Sequence, residues 1–127
     1  MKFARIVFAV AGVYGLLVLL PQYFLERKIG MDFPPPINHP EHFYGFTGVA
    51  AAWQVLFLML ARDPVRFRPM MLPAILEKLA FGIAVPLLFM QGRVASAMLV
   101  FSSLDLLLAA LFAAAYLKTP AREPARE

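Results

Sequence analysis

The chain of 127 residues is 61% hydrophobic and only 16% charged, whereas soluble domains run at roughly 45–50% apolar and about 25% charged. It contains no cysteine, which excludes disulfides, thiolate catalysis and cysteine-ligated metal. The net charge of +4 matters less in such a composition than where each lysine and arginine lies, and no nucleic-acid partner is expected.

The first apolar run is Ile6–Leu25, IVFAVAGVYGLLVLLPQYFL, close to the roughly 20 residues that a transmembrane helix needs. Lys2 and Arg5 precede it, as in a signal peptide. The run exceeds the roughly 7–15 residues of a signal h-region and no A-x-A pattern follows, so a retained span is expected. The connection ERKIGMDFPPPINHPEH comes next, with three consecutive prolines that favour a stiff, extended segment. Its end reads as a helix start: Asn38 or His39 as cap, Pro40 at the first position and Glu41 in the first turn. His39, Glu41 and His42 are also chemically able to ligate a metal or carry a proton. With His39 expected before the helix and no third histidine in the chain, the structural role takes precedence and no bound metal or other cofactor is expected.

The second run is Phe43–Ala61, FYGFTGVAAAWQVLFLMLA, in which Gly48 and Ala52 form a small-xxx-small pair suited to close helix packing. The basic connection ARDPVRFRP leads to the third run, Met70–Met90. Pro73 is tolerated in its first turn, whereas Pro86 is internal and expected to kink the helix or free a carbonyl near Gly82. After the turn QGR the fourth run is Val94–Leu117, with Ala109, Ala110, Ala113 and Ala114 as small packing residues. The tail TPAREPARE, residues 119–127, reads as a solvated, disordered end.

These runs predict an all-α polytopic membrane protein: a single four-transmembrane-helix bundle over residues 1–118. Lys2, Arg5, Arg62, Arg66, Arg68, Lys118, Arg122 and Arg126 fall on one side, and Arg27, Lys28 and Arg93 on the other. Eight against three places both termini in the cytoplasm of a cell (inner) membrane. Tyr23, Phe24, Phe43, Tyr44 and Tyr116 fall near span ends, where aromatic belts form.

The third run raises the functional question, because Glu77 and Lys78 sit side by side inside it. Glu77 and Gln54 each lie seven residues from the basic end of their span, about 10 Å deep. Asp105 and Tyr14 lie near the centres of their spans, and Trp53 adjoins the same layer. A charge at the bilayer centre costs about 2.5–3.5 kcal/mol even on lenient scales, so Asp105 must face the bundle interior, find a partner or take up a proton. Lys78 is its natural partner. Glu77, about 100° away around the helix, is expected to point elsewhere, toward Gln54 or Tyr14. The structural alternative has Lys78 snorkelling to the surface, Glu77 pairing with Arg66 or Arg68, and the polar residues acting as glue between helices. The ligand-binding candidates are therefore Glu77, Lys78, Asp105, Gln54, Tyr14 and Trp53.

The stretches EHFYGFTGVAAAWQ, DPVRFRPMMLPAILEK and SSLDLLLA lie in and before the second, third and fourth runs. With them the chain resembles a group of small uncharacterised bacterial four-helix membrane proteins, and in size and layout it resembles the DoxX-like proteins. Arg5, Gly12 and Gly15 match the arginine and glycine pattern of the first DoxX helix poorly, so the resemblance implies fold and no quinone site or activity. Three functions compete. A small-molecule- or lipid-binding bundle or accessory subunit needs only an interior polar site. A membrane enzyme acting on a lipid or quinone, with Glu77 or Asp105 as acid or base, lacks a nucleophile, a metal cluster and a phosphate loop. A transporter or channel component lacks an inverted repeat. Expected partners are membrane lipid, a small apolar ligand, and a second copy or a larger membrane complex.

Overall fold

A computed structural model describes residues 2–122. Among them there are five α-helices and no strand: α1 (Lys2–Leu19), α2 (Glu26–Asp32), α3 (Pro40–Arg62), α4 (Met71–Met90) and α5 (Met98–Lys118). Pro21 has no N–H to bond the carbonyl one turn back, and at this point α1 tightens into a 3-10 turn over Leu20–Phe24. A second 3-10 turn, Arg68–Met70, leads into α4. α4 runs unbroken through Pro86.

Three elements depart from the sequence reading. The long connection carries the short helix α2 before its proline run, and Gly30 is what lets it lie there: a Cβ would stand 3.2 Å from Pro36 Cα and Ile37 N. α5 starts at Met98 rather than Val94, because the reversal after α4 consumes the intervening residues. Gly92 adopts φ +70, the left-handed backbone that glycine takes without steric cost. Its N–H donates to the Phe89 carbonyl at 2.9 Å and that of Arg93 to Leu88 at 2.9 Å, the paired bonds of a Schellman helix end. Within the expected tail, Thr119 is buried and its N–H donates to Ala115 at 2.9 Å; residues 123–127 lie outside the described residues.

The long helices pack as two hairpins. α1 lies along α3 and α4 along α5; α1 also meets α5, while α3 and α4 hardly touch. The hairpins join through an apolar core at the end that holds Lys2, the 63–67 connection and Lys118. Phe8, Phe57 and Phe112 form its centre, ringed by Ala4, Val7, Ala11, Leu60, Met71, Ala74 and Ala115. Phe8 stacks on Phe112 with centroids 4.3 Å apart, and Phe57 meets Phe112 edge-on at 5.0 Å.

Close approach within each hairpin rests on glycines. A Cβ on Gly12 would meet Leu58 at 2.7 Å and the Gln54 carbonyl at 2.9 Å, and one on Gly15 would overlap the Gln54 side chain. On Gly82 it would meet Leu106 at 2.8 Å. The expected Gly48–Ala52 pair does not serve as an intramolecular seam. Ala52 is exposed and Gly48 faces only the Tyr23 hydroxyl.

All four long helices are long and apolar enough to cross a membrane. Only 39, 33, 22 and 22% of their most apolar windows, in chain order, is buried inside the fold. Side chains such as Leu17, Leu76 and Leu117 are 71, 66 and 80% exposed. An apolar surface this continuous is stable only against hydrocarbon, in keeping with a polytopic four-helix membrane bundle.

Candidate functional site

Lys78 is only 4% exposed although it carries a charge. Its residue lies on the buried face of α4, in register with Met71, Ala74, Gly82 and Val85, so its stem is directed into the seam with α5. The ammonium stands 3.5 Å from Asp105 Oδ1 and 3.7 Å from Glu77 Oε2. It also sits 5.3 Å from the centroid of the Phe57 ring on α3. The cluster thus rests on the aromatic layer, at the level where the two hairpins cease to share a core.

Lys78 and Asp105 are brought together as their depths suggest. Glu77 is not where the sequence reading put it. Adjacent helix residues diverge, but the four-carbon stem of Lys78 lets the ammonium reach both carboxyl groups. Both distances exceed the roughly 2.7–2.9 Å of a strong charge-assisted bond, so Lys78 acts as a shared point charge rather than a clamp. Glu77 Oε2 is buried and has no hydrogen-bond partner among the described residues. Two carboxyl groups thus share one ammonium where the dielectric is low. The side chains of Glu77 and Asp105 keep 19 and 16% of their surface accessible.

Two parts of the structural alternative do not occur, whereas the third, polar glue between helices, is met by the Lys78–Asp105 contact between α4 and α5. Burial of Lys78 rules out snorkelling. Arg68 is engaged elsewhere, donating from Nε to the Tyr116 carbonyl at 3.1 Å with its guanidinium 3.8 Å above that ring. Arg66 lies 5.3 Å from the Phe67 ring. Ser102 donates to the Leu99 carbonyl at 3.2 Å on its own helix.

The other candidates divide. Gln54 is 1% exposed and plugs the α1–α3 seam over Gly15; its Nε2 donates to the Ala50 carbonyl at 2.9 Å, while its Oε1 is buried without a partner among the described residues. Trp53 is half-buried against Phe57, centroids 6.5 Å apart. Tyr14 is half-buried on α1. Phe57 is not among the residues singled out from the sequence, although its position one turn after Gln54 on a shared face is a usable signal. Two surface concavities, one lined by Asp63, Val65, Arg66 and Arg122 and one by Val13, Leu16, Leu17, Leu20, Pro21 and Phe24, lie away from the charge cluster.

At the opposite end of the bundle, α2 is tied to α3 by Tyr44, whose hydroxyl donates to Glu26 Oε2 at 2.8 Å and whose ring stacks on Tyr23. His39 is the N-cap residue and Pro40 opens α3, as expected, but the His39 side chain makes no capping bond. Its carbonyl instead accepts the His42 and Phe43 N–H groups at 3.0 and 3.1 Å. His39 Nδ1 lies 3.2 Å from Glu41 Oε1, and His42 Nε2 lies 3.7 Å from the same oxygen.

Comparison of the chain with protein-family models, with curated proteins and with solved structures gives no match. The functional reading therefore rests on the geometry above.

Proposed function

We propose that this chain is a ligand-binding four-helix protein of the cell membrane, acting alone or as an accessory subunit. In this reading the Glu77–Lys78–Asp105 cluster holds the polar end of a small molecule or lipid. The observation that carries the reading is the buried Glu77 Oε2, without a hydrogen-bond partner among the described residues, beside an ammonium shared with Asp105. Intramembrane ionisable groups are costly and belong to sites by default. Two carboxyl groups that share one ammonium select a ligand that offers a cationic or hydrogen-bonding group. Glu77 and Asp105 lie within spanning helices and keep part of their side-chain surface accessible, which favours a membrane-dissolved amphiphile over a solute entering from water.

Native mass spectrometry of the purified protein should show a bound small molecule or lipid. Glu77→Gln keeps the Lys78–Asp105 pair and removes only the surplus carboxylate. A charge-assisted hydrogen bond is worth about 1.5–3 kcal/mol, so adduct occupancy should fall roughly tenfold or more. Equal occupancy in wild type and variant would refute the site.

The same reading has both ends of the chain in the cytoplasm, from the eight-to-three distribution of lysine and arginine. A phosphatase that is active only outside the cytoplasm, fused after residue 127, should stay silent, and the same enzyme inserted after Asn38 should be active. The reverse pattern would invert the topology.

A further inference from the structure

We propose that His39, Glu41 and His42 form a binding site for a divalent transition-metal ion, zinc(II) above all, at the start of α3. The site lies at the end of the bundle remote from the charge cluster and is independent of it.

Zinc binds imidazole nitrogen and carboxylate oxygen at about 2.0–2.2 Å in a tetrahedral shell, which puts neighbouring ligand atoms roughly 3.3–3.5 Å apart. The two separations from Glu41 Oε1, 3.2 Å to His39 Nδ1 and 3.7 Å to His42 Nε2, bracket that edge length. One ligand atom from each residue can be chosen so that all lie within 4.8 Å of one another. Closing the remaining gap between the two imidazoles requires only rotation of exposed side chains, which are 68, 65 and 79% accessible for His39, Glu41 and His42.

The backbone beneath them is set in advance. Pro40 fixes its own φ at the first helical position, and His39 and His42 stand one turn apart across it. The convergence has little structural use. Exposed ion pairs contribute about 0–1 kcal/mol, and the His39 side chain forgoes the capping bond that would stabilise α3. Two imidazoles and one carboxylate match zinc, cobalt, nickel or copper, whereas calcium and magnesium take oxygen shells. Three protein donors leave a tetrahedral position open to water or an incoming donor, as in reactive rather than purely structural zinc sites.

The test uses tag-free, full-length protein in detergent, stripped of metal and titrated with zinc(II) by calorimetry and with cobalt(II) by visible absorption. The expected result is one ion per chain and a low-symmetry cobalt spectrum. Glu41→Gln, His42→Ala and His39→Asn, the last keeping a cap-competent residue, should each weaken binding about tenfold or more. Helical circular dichroism should be unchanged, because all three side chains are exposed. Equal zinc affinity in wild type and the triple variant, or magnesium competing as well as zinc, would overturn the proposal.

Discussion

Lys78→Met should lower the unfolding free energy by about 3–5 kcal/mol, the cost of leaving buried charge without its partner. It strands two carboxylates at once, Glu77 and Asp105, whose oxygens stand 3.7 and 3.5 Å from the ammonium. Asp105→Asn should cost much less, about 1–2 kcal/mol, because Glu77 remains beside Lys78 as a counter-charge. Glu77→Gln should be close to neutral, since it removes the surplus charge. The triple replacement Glu77→Gln, Lys78→Met, Asp105→Asn should recover most of the loss, because an apolar or neutral set needs no compensation. Thermal unfolding in one detergent, followed by circular dichroism, ranks the four variants. A two-member pair would make the Lys78 and Asp105 losses equal; a shared ammonium makes them unequal. If Asp105→Asn proves as damaging as Lys78→Met, Glu77 is not a working member of the cluster.

The features legible in the sequence are those set by length and depth. Four apolar runs have no other arrangement open to them than spanning helices. Asp105 is too short to reach water from mid-span, and Lys78 is the only cation on a span able to meet it. What stayed illegible depends on azimuth and on side-chain rotation. Glu77 diverges from Lys78 on any helical wheel, yet the lysine stem is flexible enough to carry the ammonium back to it. The convergence of His39, Glu41 and His42 is likewise a matter of rotamers, which spacing alone does not show. Glycine is the third case. Gly48 and Ala52 have the spacing of a packing motif, but α3 turns Ala52 outward. The close contacts fall to Gly12, Gly15 and Gly82, whose role depends on which neighbour each faces.

That dependence leads to an expected contrast between Gly12→Ala and Gly15→Ala. Without a hydrophobic drive between helices in lipid, α1 and α3 hold together by close packing, and over-packing such a seam costs about 1–3 kcal/mol. Both substitutions should therefore lower the melting temperature. They differ in what the new methyl group meets. At Gly15 it meets the Gln54 side chain, whose Oε1 is already buried without a partner among the described residues. Gln54→Ala removes that side chain together with the unsatisfied oxygen, so Gly15→Ala with Gln54→Ala should be more stable than Gly15→Ala alone. At Gly12 the obstruction includes the Gln54 backbone carbonyl at 2.9 Å, which no substitution at position 54 removes. Gln54→Ala should then fail to rescue Gly12→Ala, and the two effects should add. The double-mutant cycles on thermal unfolding separate the cases, because coupling is expected only where the blocking atoms belong to the side chain deleted. Rescue of both glycine variants by Gln54→Ala would mean that α1 and α3 slide freely over one another. Rescue of neither would mean that Gln54 is not what fills the space above Gly15.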